Sequence, residues 1–191
     1  MTLDDRLRRA VDSLGDKLRD EIAKELSSLN LAPPQDGSAM RRLAEAMSAI
    51  DHAKSLTDIL QTLATAASSE SARAGVFLLN GNAVRSFRLF RFPPQFEDAP
   101  IELPLSRGGV IVDAVRQRKT ATTATGAFDE LPPGVQAAAI PIVLVGAPVG
   151  ALYVEGADVP TVEILARFAS RALEAQTAMK AARAFSGGQA V

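Results

Sequence analysis

Leu3, Leu7, Val11, Leu14, Leu18, Ile22, Leu26 and Leu29 recur every three or four positions, with Asp, Arg and Lys between them. That spacing predicts one apolar stripe along a helix over 3–29, with Thr2 and Asp5 placed to cap its start. Leu7, Leu18 and Leu29 are spaced by eleven, the period of a nearly straight or slightly right-handed coil. At about 1.5 Å per residue such a rod spans roughly 40 Å. A narrow stripe on so long a helix calls for a partner, because isolated helices are marginal in water. A second copy of the chain and the chain's own domain both suit it. Residues 32–38, APPQDGS, break the pattern as a linker.

A second helical region runs from about Ala39 to Glu70. Ser55 with Asp58 reads as a fresh N-cap, so two helices are expected to meet near Lys54, the second burying Leu56, Ile59, Leu60 and Leu63. The period then changes. In AGVFLLNGNAVRSFRLFRF, Asn80-Gly81 lies between two strand-like runs, a strong hairpin signal that makes 74–79 and 83–92 antiparallel neighbours. Pro93-Pro94 opens a long loop over 93–107. VIVDAVRQRK is a short helix behind Gly108-Gly109, 120–125 is strand-prone, and GAFDELPPG is a second loop. Strands at 136–145 and 148–155 follow, then an amphipathic helix over 159–184 with Ile164, Leu165, Phe168, Ala172 and Leu173 inward. SGGQAV forms a polar tail. The strands at 75–79, 138–145 and 149–154 are apolar at nearly every position, as strands are when both faces of their sheet are covered. The fold class is therefore α+β: an antiparallel sheet covered by helices, with an N-terminal amphipathic helical extension.

Composition narrows the possibilities. The 191 residues carry 21 Lys+Arg against 22 Asp+Glu, so no net charge draws the chain onto nucleic acid or an acidic membrane. Residues 137–154 run without a charge, but Pro141, Pro148 and the Val/Ile content make them two strands and a turn rather than a membrane span. No basic stretch followed by an apolar run opens the chain, and a cytoplasmic location is expected. There is no cysteine, which removes disulfides, thiolate metal sites and thiol nucleophiles.

Helix, hairpin, loop-rich middle with a small helix, two apolar strands and a closing helix: this order resembles the GAF domain. SLTDILQTLATAASSESARAGVFLLN is similar to the family's first helix and strand. LPLSRGGVIVDAVRQRKTATTA is similar to its middle segment, and AAAIPIVLVGAPVGALYVEG to its closing hairpin, with Pro141 and Gly150. PAS domains are the nearest rival and lack that Pro-bearing hairpin followed at once by a C-terminal helix. The resemblance covers about 40–180 and implies a sheet of about six strands with a cupped face, the first and last helices packing on the other face and extending into a dimer. The domain plan is then a helix over 1–31 as a dimerisation rod, a linker over 32–38, a GAF-like domain over 39–185 and a tail over 186–191.

The family's chemistries are tested on the residues present. Covalent bilin attachment and methionine-sulfoxide reduction both need cysteine in this family. The dispersed Asn-Lys-Phe-Asp-Glu signature of cyclic-nucleotide members cannot be threaded in register. His52, the sole histidine, sits between Asp51 and an Ala-Lys pair on a polar stretch and reads as solvent-exposed rather than as a haem or metal ligand. Glu97-Asp98 and Asp129-Glu130 are adjacent loop carboxylates without metal-loop spacing. Gly108-Gly109 reads as a turn before a helix, with anion binding by free N–H groups as the other reading. No catalytic constellation, metal site or cofactor is expected.

One segment remains, RSFRLFRFPPQF. Strand parity puts Val84, Ser86, Arg88, Phe90 and Phe92 on one side and Arg85, Phe87, Leu89 and Arg91 on the other. No base-stacking platform divides its rings that way. The plainer reading is an edge strand whose charges discourage aggregation. The functional one has Arg88, Phe90, Phe92 and Phe96 bordering a small pocket, Arg88 meeting an anion. The chain is thus expected to be a non-catalytic regulatory or signalling module. It is expected to homodimerise through its terminal helices and to act on a protein partner in trans, the alternative being a sensor of a small ligand, anions among the candidates, in the cupped face.

Overall fold

The computed structural model describes residues 37–96, 99–128 and 134–187, of which Arg183 and residues 185–187 are described by backbone alone. The chain divides between Arg41 and Arg42 into two units. The predicted rod and its cap lie outside the described residues. The linker expected over 32–38 ends sooner, because Gly37 and Ser38 already belong to helix α1, Gly37–Asp51.

Helix α2, Leu56–Ser69, begins where the cap predicts: the Ser55 hydroxyl accepts the Asp58 N–H at 3.0 Å. Strands β1 (Arg73–Asn80) and β2 (Ala83–Phe90) form the expected hairpin. Its turn lies one residue later than Asn80-Gly81: Asn80 still pairs with Ala83, and Gly81, at φ +59°, takes the first central position. The loop read over 93–107 holds a further strand, β3 (Glu102–Pro104). Helix α3 (Val110–Gln117), β4 (Ala121–Thr123), β5 (Ala137–Leu144), β6 (Ala147–Glu155) and helix α4 (Val159–Gly187) complete the order. The helix enters the segment read as a tail by two residues, Ser186 and Gly187. The uncharged run over 137–154 is the β5–β6 hairpin, and among the described residues no helix is long and apolar enough to cross a membrane.

The strands make one antiparallel sheet in the order β3-β2-β1-β6-β5-β4. One face carries α1 from Leu43 onward, α2 and α4, which meet Val76, Ile140, Ile142, Leu152 and Val154 through Ile50, Ile59, Leu63 and Leu165. Each such buried aliphatic contributes about 1.5–3 kcal/mol. Leu165 and Leu173 face inward on α4 as predicted, but Ile164 is 46% exposed. One step of about 100° round the helix from Leu165 carries it off the packed stripe. The other face is the cup, filled by α3 and by the loops before and after it.

Small residues stand where large ones need room. Gly75, Ala139 and Ala151 lie opposite or beside Tyr153 and Phe77 on the cup face. A Cβ on Gly150 would come within 2.2 Å of the Phe77 carbonyl oxygen, so β6 can lie against β1 only with glycine there.

Beyond β4, the edge of β5 is closed to further strands. Pro141 brings no N–H, the Val143 N–H donates to Ser170 Oγ at 3.1 Å, and the Val145 N–H donates to Glu174 Oε1 at 2.8 Å.

Candidate functional site

Where the cup meets the start of β1 and the end of β6, five rings assemble. Phe128, from the loop after β4, is their centre. It stacks on Phe77 at 5.8 Å and meets Phe92, Phe96 and Tyr153 edge-on at 5.2, 5.5 and 5.5 Å. Such pairs add about 0.5–1.5 kcal/mol each beyond the area they bury. The glycine at 75 allows this: a Cβ there would press on Leu89, Phe77 and Phe92 at 2.9–3.2 Å.

A chain of polar groups runs beneath the rings. Arg73 and Glu155 are direct cross-strand partners on β1 and β6, and their side chains form an ion pair at 3.0 Å, both largely buried. Tyr153, two residues before Glu155 on the same face, donates its O–H to Glu155 Oε1 at 2.6 Å and accepts the Ala127 N–H at 3.2 Å. The Arg73 guanidinium also lies 5.3 Å from the Phe92 ring centre and donates to the Arg91 carbonyl at 3.2 Å. Burial pushes the Tyr153 phenol above its ordinary range; the Ala127 N–H pulls it back in part, and the bond to the Glu155 carboxylate adds to the rise. The phenol is therefore held as a neutral donor, and it ties the Phe128 loop to the sheet. Among the described residues no buried side-chain nitrogen or oxygen lacks a hydrogen-bond partner.

The four residues singled out in RSFRLFRFPPQF are divided by a β-bulge. Val76 pairs with Arg88 but Phe77 with Ser86, which leaves Phe87 as an extra residue in β2. An inserted residue reverses the alternation beyond it. Val84 and Ser86 consequently share the cup face with Leu89, whereas Arg88 and Phe90 stand on the helix-covered face. Phe90 packs into that core, with the Arg88 guanidinium 5.5 Å from its ring centre. Phe92 and Phe96 join the cup rings. The parity assignment made from sequence holds only as far as Ser86, and Phe87, the next residue, is exposed at the bulge.

Along the open edge of β2, beyond its pairing with β3, lies a recess of about 470 Å³ lined by Ser86, Arg88, Arg91, Phe92 and Phe96 among others. It brings together three of the four residues, and Phe90 is not among them. His52 is exposed, its ring nitrogen Nδ1 2.7 Å from the Ser48 carbonyl oxygen. The paired carboxylates at 97–98 and 129–130 lie outside the described residues, and among those described no His, Asp and Glu group has the makings of a metal site.

Arg73, Phe77, Phe128, Tyr153 and Glu155 escaped the sequence reading. The one available signal was the sole tyrosine standing two positions from a glutamate inside an otherwise apolar strand.

This six-stranded sheet, with helices on one face and a loop-roofed cup on the other, is a GAF-like fold. No protein-family model and no curated protein matches the chain. Among solved structures, it is similar to the GAF domain of an Acinetobacter phosphoenolpyruvate-protein phosphotransferase at 16% identity and TM-score 0.57, over 73% of this chain and 94% of that one. It is similar to residues 122 to 287 of a methyl-accepting chemotaxis protein at 20% identity and TM-score 0.55, over 70% and 96%. It is also similar to the free methionine-R-sulfoxide reductase of Neisseria meningitidis, solved with its substrate, at 16% identity and TM-score 0.57, over 76% and 95%. The same fold thus occurs in a phosphotransferase, a chemotaxis protein and a reductase.

Proposed function

We propose that the chain is a non-catalytic regulatory module of the cytoplasm that self-associates through its terminal helices and acts on a protein partner. The observation that carries this reading is the end of α4. Leu173 is the last buried residue of the helix, and from Ala178 onward every described side chain is exposed, Met179 at 51%. Helical turns without packing of their own are marginal in water, so a second copy of this helix is their natural support. The lack of cysteine removes the thiol chemistry expected of reductases on this fold, and the one buried phenol in the cup is committed to Glu155 and Ala127. Light scattering of the full chain should give a dimer that Met179→Glu weakens. A monomer at every concentration would end this reading.

A second reading, a small anion held in the recess along β2, rests on Arg88, whose guanidinium has no carboxylate partner among the described residues. Inorganic phosphate and short dicarboxylates should then raise the melting temperature of the wild type and not of Arg88→Ala. Equal responses would dismiss it.

A further inference from the structure

Away from the cup, α4 and the closed edge of β5 frame a depression of about 690 Å³. Its floor is apolar, with Ile140, Pro141, Val143 and Phe168. Its rim carries Arg118, Lys119, Arg167 and Arg171 against Glu163 and Glu174. Both carboxylates are occupied: Glu163 by Arg167 at 2.6 Å and Thr120 at 3.2 Å, Glu174 by Arg171 at 2.8 Å and the Val145 N–H at 2.8 Å. Arg118 and Lys119 have no carboxylate partner among the described residues, and the rim keeps an excess of positive charge in a chain whose net charge is −1.

Beside this rim stand two exposed aliphatics, Val145 at 82% and Ile164 at 46%. Val145 is held at φ 50° in the β5–β6 turn, and Arg118 at φ 56° behind α3; they are two of the three non-glycine residues with positive φ among those described. A β-branched residue is a poor occupant of that conformation, and Asn before Gly146 would make the turn with less strain. Strained and exposed together, Val145 serves neither the turn nor the core. The strand edge beside it is closed by Pro141 and by the two bonds from α4, so no extended peptide can add there. A partner must engage through side chains, as an amphipathic helix does in a groove.

We propose that this face docks an acidic amphipathic helix of another protein. Its apolar stripe covers Val145, Ile164 and Phe168, and its carboxylates meet Arg118 and Lys119. Ile164 to Arg171 spans two turns, roughly 11 Å, the length over which a helix repeats an i, i+4, i+7 stripe.

The test uses the full chain, isotopically labelled for amide NMR, with two synthetic capped peptides. One carries Leu at i, i+4 and i+7 with Glu at the flanking positions, and its twin has Lys for each Glu. The Glu peptide should move the amide resonances of Arg118, Val145, Gly146 and Ile164. Arg118→Gln with Lys119→Gln should weaken it about tenfold, and Val145→Asn should weaken it while raising the melting temperature. The proposal is overturned by no binding of the Glu peptide, by equal binding of the Lys twin, by shifts elsewhere, or by a Val145→Asn variant that binds unchanged. Equal binding of an oligonucleotide at this face, or its occlusion by a second copy of the chain, overturns it as well.

Discussion

Replacing Tyr153 by Phe removes one oxygen from the middle of the cup and tests the latch it makes. The oxygen donates to a carboxylate at 2.6 Å and accepts a backbone N–H at 3.2 Å. A charge-assisted bond is worth about 1.5–3 kcal/mol and a neutral one about 1 kcal/mol. Neither partner is fully stranded by the change, because Glu155 keeps Arg73 at 3.0 Å and Ala127 is exposed to water. The expected loss is therefore about 2 kcal/mol, or roughly 4–8 °C in melting temperature for a domain of this size. The phenol also predicts a pH dependence. Burial raises its pKa above the ordinary 10.0, so folding favours the neutral form. That contribution is present in full below the unfolded value and is lost as pH rises past it. Tyr153 is the sole tyrosine in a chain without tryptophan, so phenolate absorbance reports this residue alone. The native protein should titrate above the pH at which the same protein titrates in guanidinium, and the alkaline fall in stability should flatten in Tyr153→Phe. Coincident native and denatured titrations, or a Tyr153→Phe variant of unchanged melting temperature, would refute the argument.

Three further outcomes follow from the same geometry. Gly150→Ala should cost more than about 3 kcal/mol or prevent folding, since its Cβ meets the Phe77 carbonyl oxygen rather than a movable side chain; circular dichroism on heating checks it. Ser170→Ala removes the acceptor of the Val143 N–H at the closed edge, and denaturant unfolding should show a loss of about 1 kcal/mol, with a greater tendency to aggregate. At Glu174, the bond from Arg171 and then the Val145 N–H hold the carboxyl below its ordinary 4.5. Its contribution is thus present above that value and lost as pH falls, so the melting temperatures of wild type and Glu174→Gln should converge on acidification.

Periodicity is a local property, and what it governs was legible in the chain: α2 with its Ser55 cap, the β1–β2 and β5–β6 hairpins, the short α3, and the GAF-like order they make. Strand apolarity correctly announced a sheet covered on both sides. The faces of the Arg/Phe strand were not legible. Which side Arg88 takes depends on the bulge at Phe87, and a bulge is a mismatch between two strands rather than a feature of either. Ile164 shares a helix with Leu165, and only the packing of α4 on β5 separates an exposed residue from a buried one. The cup is the extreme case. Phe77, Phe92, Phe128 and Tyr153 come from four separate segments, and Arg73 meets Glu155 across 82 positions of sequence. Residues so distant are brought together by chain reversal and sheet register, which are long-range outcomes of burying the whole apolar surface at once. The string of letters therefore determined the elements and their order, while tertiary packing alone decided which side chains share a site.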